Sequence, residues 1–464
     1  MSAASRLAFS FVVVPLTAWA LWPARVSRAT SPDERCGVVR ARAAEEIAAR
    51  ETAPAESAAP PPPSQGPTPT ESAAPLPTAQ EPTAPEPWKQ AGQEPLEYRG
   101  PGRDSRQPDV DEVRLGWFGP GDPDHPSGGD FWRGALLAVE RLNREGGHRG
   151  VPFHLVPGWS DRPWAAGVVE VTRMAYEHGV WAILGAIDGA SAHLAEQVAL
   201  KARLTLLSSG STDKTANMAS VPWFFSLLPS DEVQAPLLAD ALETAAGDGA
   251  FVIASAAEHD ANAALVEIRG VLVARRLTPA LLVEFDPTDP EPGPLAVRLL
   301  EAGPRAVMVL APSGPAGSLV RALRARGFSG PVVGSAPLAL QAFQRAAAEA
   351  ADGVVVPRLW EPSPEWDSFA RMYENRWGGA PDHAAGQSYD AVRLVACAVR
   401  RGGLNRARIR DAVRELSPWG GAAGIVRWDA LGRNERPAGL VRWRAGRLEP
   451  LAPAGGEPGA ASGR

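Results

Sequence analysis

From residue 113 onward, short apolar runs alternate with helix-patterned stretches, and few folds accommodate that order. Val113–Phe118 is followed by a Gly/Pro/Asp loop and by a helical pattern over 130–145, with Trp132, Leu136, Val139 and Leu142 on its apolar face. Apolar runs at 153–156, 181–184, 204–207, 251–254, 281–285, 307–310, 332–334 and 354–356 repeat the theme. Strands that reach their neighbours through helices build parallel sheets covered on both faces. Roughly 345 patterned residues exceed one comfortable core, so the expected fold is α/β with two doubly wound, parallel-sheet lobes. Near 424–428 and 440–444 the pattern changes to strands joined by turns.

The flanks carry a different composition. Arg6, an apolar stretch over 7–22 and small residues at Ser27 and Ala29 read as an export signal over 1–29, either cleaved or kept as an anchor. From 30 to 110 the chain is rich in Ala, Pro, Glu, Ser and Thr, with Pro60 to Pro63 in a row. Such a segment buries too little apolar surface to offset the entropy of ordering, so a disordered tether is expected. A net charge of -6 without a basic block argues against nucleic acid or an anionic membrane surface as a partner. The two cysteines, Cys36 and Cys397, support neither a disulfide framework nor a cysteine-based metal site.

Two successive strand-to-helix loops stand out between Trp181 and Thr212. The first apolar run breaks at Gly185 into a small-residue loop holding Asp188, Gly189 and Ser191; the second breaks into Ser208, Ser209, Gly210, Ser211 and Thr212. If the two strands are parallel neighbours, both loops lie at their carboxyl ends, where open α/β sheets bind ligands and helix amino termini present unpaired N–H groups. Small and hydroxyl residues there also serve as ordinary caps and turns.

No catalytic constellation accompanies them. The chain lacks a G-x-S-x-G elbow, a P-loop, a dinucleotide fingerprint and an H-E-x-x-H pair. Its histidines, at 125, 148, 154, 178, 193, 259 and 383, show no ligand spacing, so neither a metal site, a cofactor nor an enzyme is expected.

The order of pieces resembles the type I periplasmic solute-binding proteins of ABC transporters, of the branched-chain amino acid (Leu/Ile/Val) kind. The resemblance rests on Gly119-Pro120 with Gly134; on Leu142-Asn143 through Gly146-Gly147 and Gly150-Val151-Pro152; and on the Gly179 to Gly185 run. Tyr389-Asp390-Ala391-Val392, Gly424 to Asp429, Gly432-Arg433-Asn434 and Gly446-Arg447 complete it. It implies two lobes joined by three crossovers around a hinged cleft, lobe 1 being 111–232 with 357–435 and lobe 2 being 233–356 with 436–455, followed by a disordered tail at 456–464. It further implies a monomeric, exported protein of the periplasm or cell envelope that hands a small polar, amino-acid-like solute to a permease. An envelope sensing or protein-interaction module of the same fold is the alternative.

Gly189, Gly210 and Thr212 fall on the family positions that grip a ligand's α-carboxylate and α-ammonium. Elsewhere the chain departs from the pattern. His259-Asp260 stands where the family usually has Tyr-Gly, and the acid expected near Ala336 to pair with the ammonium is absent. Asp188 is the candidate replacement, His259 and Asp260 are candidates to close over the ligand from lobe 2, and Phe118 is a candidate pocket wall.

Overall fold

The computed structural model describes residue 95 and residues 97–451, apart from 161–162 and 219–220. The export signal, most of the tether and the tail therefore lie outside the described residues. Two sheets organise the rest. The first holds β1 (Val113–Phe118), β2 (Phe153–Gly158), β3 (Ala182–Gly185), β4 (Thr205–Ser208) and β5 (Phe224–Ser226) in the order β2-β1-β3-β4-β5, all parallel. Strand order reverses at β1, so a crevice opens between the carboxyl ends of β1 and β3.

Successive residues of a strand face opposite sides, and the apolar content of this sheet is divided accordingly. Leu184 and Leu207 join one core with Trp117, while Ile183 and Leu206 join the other with Phe118. The Trp117 side is covered by α1 (Gly129–Arg144) and α10 (His383–Gly402), the Phe118 side by α2 (Val168–Tyr176) and α3 (Gly189–Ala202). α1 and α10 approach so closely at Gly134 that a Cβ would overlap the Ala385 carbonyl.

The second sheet holds β6 (Phe251–Ala256), β7 (Leu281–Phe285), β8 (Ala306–Leu310), β9 (Val332–Gly334), β10 (Val355–Arg358), β13 (Gly439–Arg444) and β14 (Arg447–Pro450). Its order is β14-β13-β10-β9-β8-β6-β7; β6 to β10 run parallel, and the β13–β14 hairpin adds antiparallel at one edge. Helices α4 (Asp231–Ala246), α5 (His259–Ala274), α6 (Pro292–Glu301), α7 (Ser313–Ala325) and α8 (Gln341–Ala347) pack in this lobe. The remaining helices α9 (Pro364–Trp377) and α11 (Arg406–Glu415), and the small hairpin of β11 (Trp419–Gly421) and β12 (Gly424–Val426), return to the first lobe. The chain passes between lobes after β5, after β10 and after β12.

Two local expectations differ from the structure. The stretch at 97–108, assigned to the end of the tether, lies against lobe 1: the Tyr98 ring sits 4.7 Å from that of Trp223, and Asn405 Nδ2 donates to the Gly102 carbonyl at 2.8 Å. Together with the Arg103–Asp411 ion pair at 2.5 Å and the Arg408 bond to the Arg103 carbonyl at 3.0 Å, these are local anchors that a composition average over 30–110 hides. Cys397 on α10 is disulfide-bonded, a pairing that its single-cysteine surroundings in sequence gave no reason to expect.

Candidate functional site

The loop after β3 turns through two positive φ values, Gly185 at 96° and Ala186 at 47°. A Cβ on Gly185 would lie 2.5 Å from the Phe118 carbonyl oxygen, so the crevice between β1 and β3 closes here only with glycine. Asp188 then caps α3: its Oδ1 accepts from Ser191 N–H at 2.7 Å, and Ser191 Oγ accepts from Asp188 N–H at 3.2 Å. Ser191 is thus a capping residue and does not line the cavity between the lobes. In the second loop Ser208 Oγ donates to the Ala186 carbonyl at 2.7 Å and accepts from Ser211 N–H at 3.1 Å, which locks the two loops together. Ser209 and Ser211 are buried with hydroxyls that have no hydrogen-bond partner and do not line the cavity. Gly210 does line it, and a Cβ there would overlap the Ile187 carbonyl.

The two lobes close over these loops. Gly189 N–H donates to Asp260 Oδ1 of lobe 2 at 2.8 Å; Gln341 N–H of lobe 2 donates to Asp382 Oδ2 at 2.9 Å; Arg345 pairs with Asp130 at 3.0 Å and Lys214 with Glu267 at 2.9 Å. Between them is a cavity of about 70 Å³ lined by Phe131, Ile187, Asp188, Gly210, Thr212 and His383 of lobe 1 and by Glu258, Asp260, Ala311, Ser335 and Ala336 of lobe 2, with Asp231 at the crossover. A larger depression, about 1280 Å³, lies on lobe 2 between α4 and β13. It is open, mainly apolar and remote from both loops, so the smaller interlobe cavity is the candidate site.

The cavity is acidic. Four carboxyl groups line it, those of Asp188, Asp231, Glu258 and Asp260, and no lysine or arginine does. Burial raises the pKa of Asp260 well above the usual carboxylate range, and the charges of Asp188 and Glu258 push it further. Asp231 is raised in the same way by burial, against the hydroxyl of Thr212, which donates to it at 3.1 Å. Glu258, raised chiefly by burial, caps α5 through Ala261 N–H at 2.6 Å and Asp260 N–H at 3.0 Å. His383, 2% exposed, lines the cavity and has an Nδ1 without a hydrogen-bond partner, and burial lowers its pKa to about 3, so it is neutral.

Several donors that would grip a carboxylate are already engaged by the protein's own acids. Gly189 N–H serves Asp260, Ser191 N–H serves Asp188, and Thr212 Oγ serves Asp231. Two residues singled out from sequence stand elsewhere. Phe118 is no pocket wall: it is fully buried beneath the sheet, its ring 5.5 Å from that of Trp159, because the strand's alternation points it away from the cleft. His259 does not reach the cavity; its Nε2 lies 2.8 Å from Asp213 Oδ2. Sequence reasoning missed Asp231 and Glu258, which read as ordinary helix-start acids, and His383, a helix-start residue 170 or more positions from either loop, about which spacing says nothing.

The profile of a family described as periplasmic binding protein matches residues 112–447. Solved structures agree in fold. The branched-chain amino acid transporter substrate-binding protein LivJ of Streptococcus pneumoniae, in complex with isoleucine, is 20% identical, with a TM-score of 0.68 over 73% of this chain and 98% of its own. A substrate-binding protein of Desulfitobacterium hafniense complexed with leucine is 22% identical, TM-score 0.61, over 73% and 100%. A solute-binding protein of R. palustris in complex with benzoate is 17% identical, TM-score 0.67, over 73% and 95%. No curated protein matches the chain.

Proposed function

We propose, from the premise that this chain belongs to the periplasmic binding protein family, that the solute it captures for an ABC-type transporter carries a cationic, amine-like head and no free carboxylate. The carrying observation is the four-carboxylate lining without a basic residue. The similar proteins complexed with isoleucine, leucine or benzoate accommodate a carboxylate in their ligand. In this chain one ionised carboxyl about 5 Å from a ligand carboxylate would cost about 3 kcal/mol at an effective dielectric of about 20. An ammonium gains from the same charge and, by favouring the ionised forms, draws the raised carboxyls of Asp231, Glu258 and Asp260 back toward the charged state. Asp188, the replacement expected from the sequence, is joined by Asp231, Glu258 and Asp260 in the role of the acid that the family resemblance places near Ala336. The protein acts as a monomer with a permease partner.

A ligand that binds only the folded, closed form raises the unfolding midpoint. Thermal unfolding of the full chain against small amines, amino acids, amino acid amides and carboxylates is expected to respond to cations, and Asp260→Asn and Asp231→Asn to remove the response. A response to carboxylates alone would refute the assignment. A second reading, a sensing or interaction module whose lobes close on each other without solute, is supported by Asp260 occupying Gly189 N–H; a stable fold with no response to any member of the panel would favour it.

A further inference from the structure

A second constellation spans the cleft outside the cavity. His193 stands on α3 of lobe 1, Asp213 follows the second loop of lobe 1, and His259 opens α5 of lobe 2. His193 Nε2 lies 2.9 Å and His259 Nε2 2.8 Å from the same oxygen, Asp213 Oδ2. The two imidazoles meet edge to face with ring centroids 5.3 Å apart, and one ligand atom from each of the three residues falls within 4.8 Å of the others. Among the described residues no other group of three histidines, cysteines or acids comes together in this way.

The surroundings hold the set in place. Asp213 Oδ1 accepts both the N–H and the hydroxyl of Thr215 at 2.7 Å, which fixes the carboxylate and leaves Oδ2 to the two rings. The Asp213 side chain is 1% exposed, whereas those of His193 and His259 are 23% and 36% exposed, so the constellation has an inner wall and a solvent-facing side. Behind His193, the buried Glu196 puts Oε2 4.0 Å from Nδ1, while its Oε1 has no hydrogen-bond partner. At this distance Glu196 lies near the second ring nitrogen without hydrogen-bonding it, its Oε2 accepting instead from Asn217 N–H at 3.3 Å.

We propose that His193, Asp213 and His259 form a divalent transition-metal site that clasps the closed lobes. Two imidazoles and one carboxylate suit zinc, cobalt or nickel, whereas calcium and magnesium require a shell of oxygens. With metal–ligand distances of about 2.0–2.1 Å in a tetrahedron, neighbouring ligand atoms stand about 3.3 Å apart. Each Nε2 would therefore retreat roughly half an ångström from Oδ2 as the ion replaces the ring protons, a small adjustment for partly exposed imidazoles. Water from the open side supplies the remaining position. Only His259 comes from lobe 2, so the open form offers two protein ligands and the closed form three. Metal thereby favours closure, and by linkage any ligand that closes the lobes tightens metal binding.

The test uses the full chain freed of metal by a chelator and titrated with zinc chloride by calorimetry, together with a cobalt titration read by visible absorption. One equivalent of zinc is expected, with the intense visible bands of low-coordinate cobalt. His193→Ala, His259→Ala and Asp213→Asn should each weaken zinc binding at least tenfold. Paired labels on the exposed positions Tyr176 of lobe 1 and Val273 of lobe 2 should report closure on adding zinc to the unsubstituted chain but not to His259→Ala. Circular dichroism in chelator confirms that each variant folds, and His259→Gln repeats the test at a smaller change in shape. No zinc binding, or binding that His193→Ala and His259→Ala leave unchanged, would overturn the proposal and leave the cluster a hydrogen-bonded latch. Zinc bound without closure would overturn the clasp.

Discussion

Gly189→Ala isolates lobe closure from folding. A Cβ at this position would overlap Asp260 Oδ1 and come within 3.0 Å of His259 Cδ2 and 3.1 Å of Asp213 Cβ, so the closed lobes have no room for a methyl group. Relief requires the Asp260 carboxyl to turn aside or α5 to withdraw, and either breaks the 2.8 Å bond from Gly189 N–H to Asp260. Because burial keeps Asp260 from ionising freely, the bond contributes the ordinary amount of about 0.5–1.5 kcal/mol, so the closed form should lose roughly two- to tenfold in population relative to the open form. In separated lobes only the same-lobe approach to Asp213 Cβ at 3.1 Å remains, and replacing a helix-start glycine whose φ suits any residue offsets it by about 0.4–1 kcal/mol. The assay pairs the label distance between Tyr176 and Val273 with a thermal melt of the same sample. A longer distance at an unchanged or higher midpoint is expected; an unchanged distance would refute the steric argument, and a collapsed midpoint would show that Gly189 is needed for folding.

Three further outcomes follow from the same geometry. Gly185→Ala combines a positive φ with a 2.5 Å approach to the Phe118 carbonyl, so it should lower folding stability by more than about 2 kcal/mol in chemical denaturation. Tyr98→Ala should cost about 1–2 kcal/mol through lost packing on Trp223; no change would mean that 97–108 does not hold lobe 1. Burial, followed by the charge of Asp130, raises Asp382 from 3.8 to about 7. A carboxyl with a raised folded-state pKa contributes stability that is full below about pH 4 and lost as pH rises through about 7. Relative to Asp382→Asn, the unsubstituted chain should therefore lose at most about 4 kcal/mol across that window, and parallel pH profiles for the two would contradict the assignment.

Much of the scaffold was readable because its signal is local. The β1, β3 and β4 runs end within a residue of their observed strands, since an apolar run bounded by glycine or serine leaves little freedom. β5, Phe224–Ser226, was missed, and the late strands divide between a separate hairpin and an antiparallel edge that periodicity cannot assign. At the site, both lobe-1 loops were legible as strand-to-helix junctions. What they meet was not: Glu258 and Asp231 carry the ordinary chemistry of helix starts, and only the folded arrangement sets them beside Asp188 and Asp260 around one cavity. His193 and His259 have no ligand spacing in sequence because closure of the lobes brings them to Asp213.

The central claim is that an acidic interlobe cavity selects a cationic solute without a carboxylate. Its most direct test is calorimetric titration of the full chain with a small amino acid and, separately, with the amide of the same amino acid, which keeps the ammonium and removes the negative charge. The amide should bind at least tenfold and up to roughly a hundredfold tighter, the ratio set by about 3 kcal/mol of repulsion. Equal binding, or tighter binding of the parent amino acid, would contradict it.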